Sequence, residues 1–287
     1  MLMQFGRGAD SMIQPDAVQN ASFVAADRID ERASFYERHE HSILAASGLL
    51  AFLALWEMLP ALGLVRPIFT SSPSRIAAAA WWLAQNGLLN DIVVSATEFG
   101  MGFVVAVLIG VPLGVLLGWY DRWRAILDPY ISTLYVTPRV AFLPLLILWL
   151  GIGFATKVTV VFLGAVFPIV INVIAGMRTI DETLLMCARS FGAKDRHIFV
   201  SLALPSCVPF MLAGLRIGVG RALVGIVVAE MVASTAGIGH MMSKAGSMFQ
   251  TDRVFVGIIL IALFGYTVTS FLNRLERRFE CWRPQRS

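Results

Sequence analysis

Apolar residues in this chain gather in blocks rather than alternating with polar ones. Crossing a bilayer as helix takes roughly 20 apolar residues. Six blocks meet that length: 43–64, 91–119, 125–150, 157–177, 209–234 and 254–272. The first carries Glu57 and Pro60 towards its far end. Residues 67–75 (PIFTSSPSR) read as an extended loop, and 75–86 as a short interfacial helix with Trp81 and Trp82 at headgroup depth. In the second block Gly110, Gly114 and Gly118 recur every four residues, which strips one helix face for close approach of a neighbour. The third contains Pro129, Pro138 and Pro144, so it reads as a broken or kinked helix, with Arg139 inside it. The fourth carries Pro168 and Asn172. The fifth has a small-residue face of Gly214, Gly218, Ala222 and Gly225, and holds Arg216, Arg221 and Glu230. Arg216 lies near the end of its helix, where it can snorkel. Nine residues of helix put Arg221 and Glu230 about 13–14 Å apart, too far for a direct pair, so each needs a partner elsewhere. Residues 235–252 form the next polar break, with room for a short helix.

The longest water-compatible break in the second half of the chain is 179–205. Thr179 followed by Glu182 is a capping-box pattern that starts a helix at Ile180. Gly192 can adopt the left-handed conformation that ends it. A second helix is expected over 194–204, stopped by Pro205. Leu184, Leu185, Ala188 and Phe191 fall on roughly one face. The result is a helical elbow. From these signals alone it fits an amphipathic connector as well as a hinge for a soluble partner to push.

Composition settles the class. Hydrophobic residues make up 57% of the chain and charged ones only 15%, against about 25% charged in soluble domains. With the blocking, this predicts an all-α integral membrane protein of about six spans. The first apolar run, beginning near Ile43, is expected to span rather than be cleaved. The tail 1–42 is read as polar and cytoplasmic, with a short helix around 27–39, and 280–287 as a basic C-terminal tail. Lysines and arginines orient the spans. Arg7, Arg28, Arg32, Arg38, Arg122, Arg124, Arg178, Arg189, Lys194, Arg196 and the C-terminal arginines fall on one side. Only Arg66, Arg75, Lys157, Lys244 and Arg253 fall on the other. Both termini, and the 179–205 elbow, are therefore expected in the cytoplasm.

The net charge of +4 is carried at the ends of apolar runs, so no nucleic-acid partner is implied. Cys187, Cys207 and Cys281 form no CxxC and suggest neither a disulfide framework nor a metal site. No G-x-x-x-x-G-K-[ST] occurs, so the chain has no phosphate cradle of that kind, and any ATP hydrolysis must come from another polypeptide. H-E-x-x-H and G-x-S-x-G are likewise missing. His39, His41, His197 and His240 are read as tail or loop residues, and no catalytic or metal-binding set is assigned. A membrane-embedded enzyme would have to use Arg139, Arg221 and Glu230, which lack a nucleophile. An ion-driven transporter would call for inverted repeats, and none is evident.

The elbow also resembles the cytoplasmic loop of bacterial ABC importer permeases, whose pattern is Glu-Ala-Ala, three residues, Gly, nine residues, Ile-x-Leu-Pro. Here the order is Met186-Cys187-Ala188, Gly192, then Leu202-Ala203-Leu204-Pro205, with every spacing kept. Segments 143–153 (LPLLILWLGIG) and 214–231 (GLRIGVGRALVGIVVAEM), and Gly237-Ile238-Gly239, resemble the branch that moves nitrate, sulfonates and taurine. The resemblance implies a type I importer fold, with a first helix and periplasmic segment at 43–90 and a permease core at 91–279. It implies that Leu185, Met186, Cys187, Ala188, Ser190, Phe191, Gly192, Ala193, Leu204 and Pro205 couple to an ATPase. The implied partners are two ATPase subunits carrying ATP and Mg, a periplasmic or lipid-anchored solute-binding protein, a second copy of the chain, and the lipid of a bacterial inner membrane. No cofactor is expected on the chain itself. Arg139, Asn172, Arg221 and Glu230 are the candidate pathway residues, and each fits a structural ion pair or cap as well as solute contact. The expected solute is an organic or inorganic anion such as a sulfonate or nitrate. A neutral or cationic heterocycle, or an aromatic acid, is the alternative.

Overall fold

The structure is a computed structural model that describes residues 35–180 and 182–278. The expected helix around 27–39 lies mostly outside these residues, as do most of both tails and Cys281. The chain divides into two units at Ala61/Leu62. The first contains α1, Phe35–Ala61, with Pro60 in its last turn. Its apolar residues Leu49, Leu50, Phe52 and Leu55 are exposed, as a lipid-facing span requires.

The second unit begins with α2 (Pro67–Thr70) and α3 (Pro73–Gln85). The prolines expected to hold 67–75 extended instead open these two helices. At a first helical position the missing N–H would have had no partner anyway. Ser71, fully buried between them at φ 54°, donates to Asp252 at 2.6 Å. Asp252 also pairs with Arg75 at 3.1 Å, and Arg253 covers the Trp82 ring at 4.0 Å.

Then come α4 (Leu88–Trp119), α5 (Asp121–Val136), a 3-10 turn (Arg139–Phe142), α6 (Leu143–Leu150) and α7 (Phe154–Met177). After the 179–205 segment, which holds α8 (Glu182–Ser190) and α9 (Asp195–Ile198), run α10 (Leu204–Ala233), α11 (Ile238–Ser247) and α12 (Thr251–Arg278). Every regular element among the described residues is helical. Five helices are long and apolar enough to cross a membrane, and six spans result if the α5–α6 pair counts as one. That pair bends by 91° at Pro138 and the 3-10 turn, a sharper break than the kink read from its prolines.

The core is α7 clasped between α4 and α10. Positions 102, 106, 110, 114 and 118 of α4 are all Gly or Ala. Cβ atoms built on Gly102, Gly114 and Gly118 would lie 2.6, 2.6 and 2.5 Å from the Cβ atoms of Val161, Val173 and Met177, and one on Gly110 would lie 3.1 Å from Ile169. Two four-residue rows therefore interlock, with fully buried Ala106 and Ala165 on them. On its other side α7 meets the small face of α10: Gly164 against Ala222, Gly218 against Ala165, Gly225 against Val160. The row read from three glycines thus extends by one glycine and one alanine towards the start of α4.

Overpacking at this contact costs about 1–3 kcal/mol. Gly114→Val is expected to lower the melting temperature of the detergent-solubilised protein. Gly100→Ala, which meets nothing within 4 Å, should leave it unchanged or raise it. Equal effects of the two would show that the α4–α7 contact is not close.

Candidate functional site

The elbow is built from an ordinary helix ending. α8 closes in a Schellman motif: Ala193 N–H donates to Ala188 O at 3.0 Å and Gly192 N–H to Arg189 O at 2.9 Å. Gly192 sits at φ 77°, where a Cβ would be strained. Leu185 and Ala188 turn inward and are half-buried, as is Ala193. Leu184, Met186, Cys187 and Ser190 stay exposed, and Phe191 is 93% exposed. A rigid, capped tip thus presents an apolar surface to water.

Two details differ from the expected elbow. Thr179 caps the helix behind it rather than the one ahead, its hydroxyl donating to Gly176 O at 2.8 Å. Pro205 does not stop the second helix, for α9 continues through a π-helical turn (Phe199–Ala203) directly into α10. The missing proline N–H and the crowding of its ring are absorbed by that wider turn. Leu204 and Pro205 therefore form the base of α10. Phe199 packs edge-on against Trp119 at 5.0 Å, tying the elbow to the end of α4.

At the opposite end of α10 lies a buried polar latch. The loop 234–237 and the first turn of α11 offer three successive N–H groups, each taken by a side chain from a different turn of the bundle. Gly237 donates to Asp91 at 2.8 Å, Ile238 to Ser95 at 2.9 Å, and Gly239 to Glu230 at 2.7 Å. These are donors that a helix start leaves unpaired. Glu230 is 1% exposed. Cβ atoms on Gly237 and Gly239 would lie 2.6 Å from its Cδ and 2.8 Å from its Cβ respectively. Beside it Lys157 forms an ion pair with Glu98, both buried, and donates to Ser234 at 2.9 Å. Glu230 thus finds its expected partner within the same chain. Lys157, counted with the outer-side charges and placed at the start of the fourth span, lies in the first turn of α7 and is paired with Glu98.

Arg139 and Arg221 are brought together elsewhere. Arg221 donates to the Tyr135 hydroxyl at 3.0 Å and lies 4.5 Å from that ring's centroid, while Arg139 lies 5.7 Å from it. Asn172 is used locally, donating to Pro168 O at 2.8 Å beside Gly214. Arg216 reaches Glu276 of α12 in an ion pair. Sequence reading singled out Arg139, Arg221 and Glu230 but missed Tyr135, Asp91, Ser95 and Glu98. An acid inside the apolar run of α4 was the available signal for Glu98. Nothing in the spacing marks Tyr135.

The described residues of the second unit thus form a bundle of broken and glycine-packed helices with a capped apolar elbow between two long apolar helices, the architecture of a polytopic membrane protein. Residues 110–280 match the family described as the binding-protein-dependent transport system inner membrane component, and the chain belongs to it. It is 31% identical over 245 residues to the taurine transport system permease protein of Escherichia coli K12, covering 83% of this chain and 89% of that one. It is 34% identical over 232 residues to a Bacillus subtilis (strain 168) protein provisionally named an aliphatic sulfonates transport permease, covering 80% and 84%. Among solved structures the fold resembles a methionine ABC transporter in inward-facing conformations, with a TM-score of 0.56 at 18% identity, covering 69% of this chain and 97% of that one. The protein is accordingly the inner-membrane permease subunit of an ABC importer, a transport component rather than an enzyme. ATP hydrolysis resides in a separate subunit, and a solute-binding protein serves the system.

Removing one member of a buried ion pair costs about 3–5 kcal/mol, because the other charge is left unpaired. Glu98→Ala is therefore expected to destabilise the permease strongly. Glu98→Leu combined with Lys157→Met should recover most of the loss. Thermal melts of the purified protein check this, and a double variant no better than Glu98→Ala would contradict the pairing.

Proposed function

We propose that this chain imports a small oxyanion, most simply a sulfonate, with force entering through the 179–205 elbow. The observation that carries the reading is the exposed apolar tip of α8, with Leu184, Met186 and Phe191 held outward by the Schellman cap. A groove on an ATPase subunit would cover that tip, and Leu185, Cys187, Ala188, Ser190, Gly192 and Ala193 would set its shape. Leu204 and Pro205 would pass the motion into α10, and Phe199 on Trp119 into α4.

In this reading two copies of the permease core, 91–279, enclose the pathway. Each copy is docked by one ATPase that holds ATP and Mg, while the permease itself binds no cofactor. Both termini and the elbow face the cytoplasm. A periplasmic or lipid-anchored binding protein docks on the outer side, where the 234–239 latch would hold the surface it meets. Lipid surrounds the spans, including α1, and nucleic acid plays no part. ATP binding draws the elbows together and favours the outward-facing state. The ATPase can shift that equilibrium only by its differential affinity for the two states, so a stiff elbow transmits what a loose loop would lose.

An anion fits the disposition of charge. The buried acids Glu98 and Glu230 are each engaged through one oxygen, by Lys157 and by the Gly239 N–H, whereas Arg139 and Arg221 form no ion pair among the described residues. The similarity to permeases named for taurine and aliphatic sulfonates points the same way.

Gly192→Val and Phe191→Asp are each expected to abolish co-purification of the ATPase while the permease still inserts in the membrane. Uptake of taurine or ethanesulfonate by proteoliposomes should require the ATPase, ATP and the binding protein together. Uptake that persists without an ATPase would refute the reading.

A further inference from the structure

The bend between α5 and α6 does more than break a span. Because α5 ends at Val136, the Tyr135 carbonyl lacks the helical N–H it would otherwise accept, and Arg139 Nη2 donates to it at 3.2 Å. This holds one guanidinium beside the Tyr135 ring. Arg221, from α10, approaches the same ring and grips its hydroxyl. The two centroid distances, 4.5 and 5.7 Å, bound the separation of the guanidinium carbons at their sum, about 10 Å. Neither arginine forms an ion pair among the described residues. Arg139 Nε is buried with no hydrogen-bond partner, and Arg221 is exposed. Each guanidinium has five N–H donors in a planar fork, of which one apiece is committed here.

Two unneutralised cations share one aromatic ring, one on the α5–α6 bend and one on α10, and in a membrane-spanning bundle this is expensive unless something returns negative charge to them. A ring face can share a cation but cannot neutralise two. We propose that Tyr135, Arg139 and Arg221 form a transit site for the terminal oxyanion group of a small monoanion. A flat or tetrahedral group such as nitrate or a sulfonate can accept from both forks at once. This inference rests on the importer reading and gives its pathway a binding point. The site combines a donor on the bend, Arg139, with one on α10, Arg221, each tethered to Tyr135 by a single hydrogen bond. Affinity can therefore be lost by moving α10 relative to the bend, which a transit site requires and a permanent ion pair would oppose.

The test uses the permease–ATPase complex in phosphatidylcholine nanodiscs. Phenylglyoxal modifies accessible arginines, and mass spectrometry reads the rate at Arg221. Ethanesulfonate or nitrate is expected to slow labelling of Arg221 about tenfold at about ten times its dissociation constant, whereas diethyl sulfone, uncharged, should not. Tyr135→Phe should weaken the protection and cut ethanesulfonate uptake several-fold, with ATPase co-purification unchanged. Labelling indifferent to both anions, or slowed equally by the sulfone, overturns the proposal. So does protection produced by adding phosphatidylglycerol alone and not deepened by ethanesulfonate, which would assign the arginines to a lipid headgroup. Loss of ATPase co-purification from the wild-type complex would count instead against the importer reading, and the labelling result would stand apart from it.

Discussion

Close backbone approach is the constraint on which the second unit depends. Lipid supplies no hydrophobic force to press helices together, so contact must come from fit. α7 receives glycines from both sides, from α4 through Gly102, Gly110, Gly114 and Gly118, and from α10 through Gly214, Gly218 and Gly225. The three helices then share one stack of Val161, Ala165, Ile169 and Val173, all almost fully buried. A block of this kind slides only by whole rungs, about 6 Å for four residues of helix, and so moves as one piece. Flexing must be taken up at its edges, where the α5–α6 bend and the elbow lie.

The polar features sit at the two ends of that block and do different work. At one end the latch satisfies donors of a glycine-rich turn with the half-buried Asp91 and Ser95 and the buried Glu230, fixing 234–239 to α4, α7 and α10 at once. At the other, the elbow is fixed internally by its own cap but presents its apolar face to solvent. One end is held by contacts to three helices, while the other is capped internally and leaves apolar side chains exposed.

Much of this was legible in the sequence, because in a membrane the rules are few. Span number, the elbow and the small faces of α4 and α10 follow from apolar length, glycine spacing and one left-handed cap. What could not be read was pairing. Lys157 looked like a loop charge because it stands at the edge of an apolar run, yet its partner Glu98 lies 59 positions earlier on another helix. The partner that Glu230 needs was not legible, because its donor, the Gly239 N–H, belongs to backbone and carries no signature. Pro205 misled for a related reason: a proline stops a regular α-helix, but a π turn ahead of it lets the helix run on. Tyr135 gained its place only when a 91° bend brought it to α10.

The Glu98–Lys157 pair also bears on how the chain is made. Glu98 lies within an apolar helix that by itself would carry an uncompensated charge into lipid, a cost that reaches about 2.5–3.5 kcal/mol for a charge near the centre of a helix. Lys157, in the first turn of α7, supplies the compensation. Neither helix reaches its lowest energy until the other stands beside it, and the broken α5–α6 segment is synthesised between them. Pairing α4 with α7 removes that cost, so early association of these two helices is favoured over insertion of either one alone.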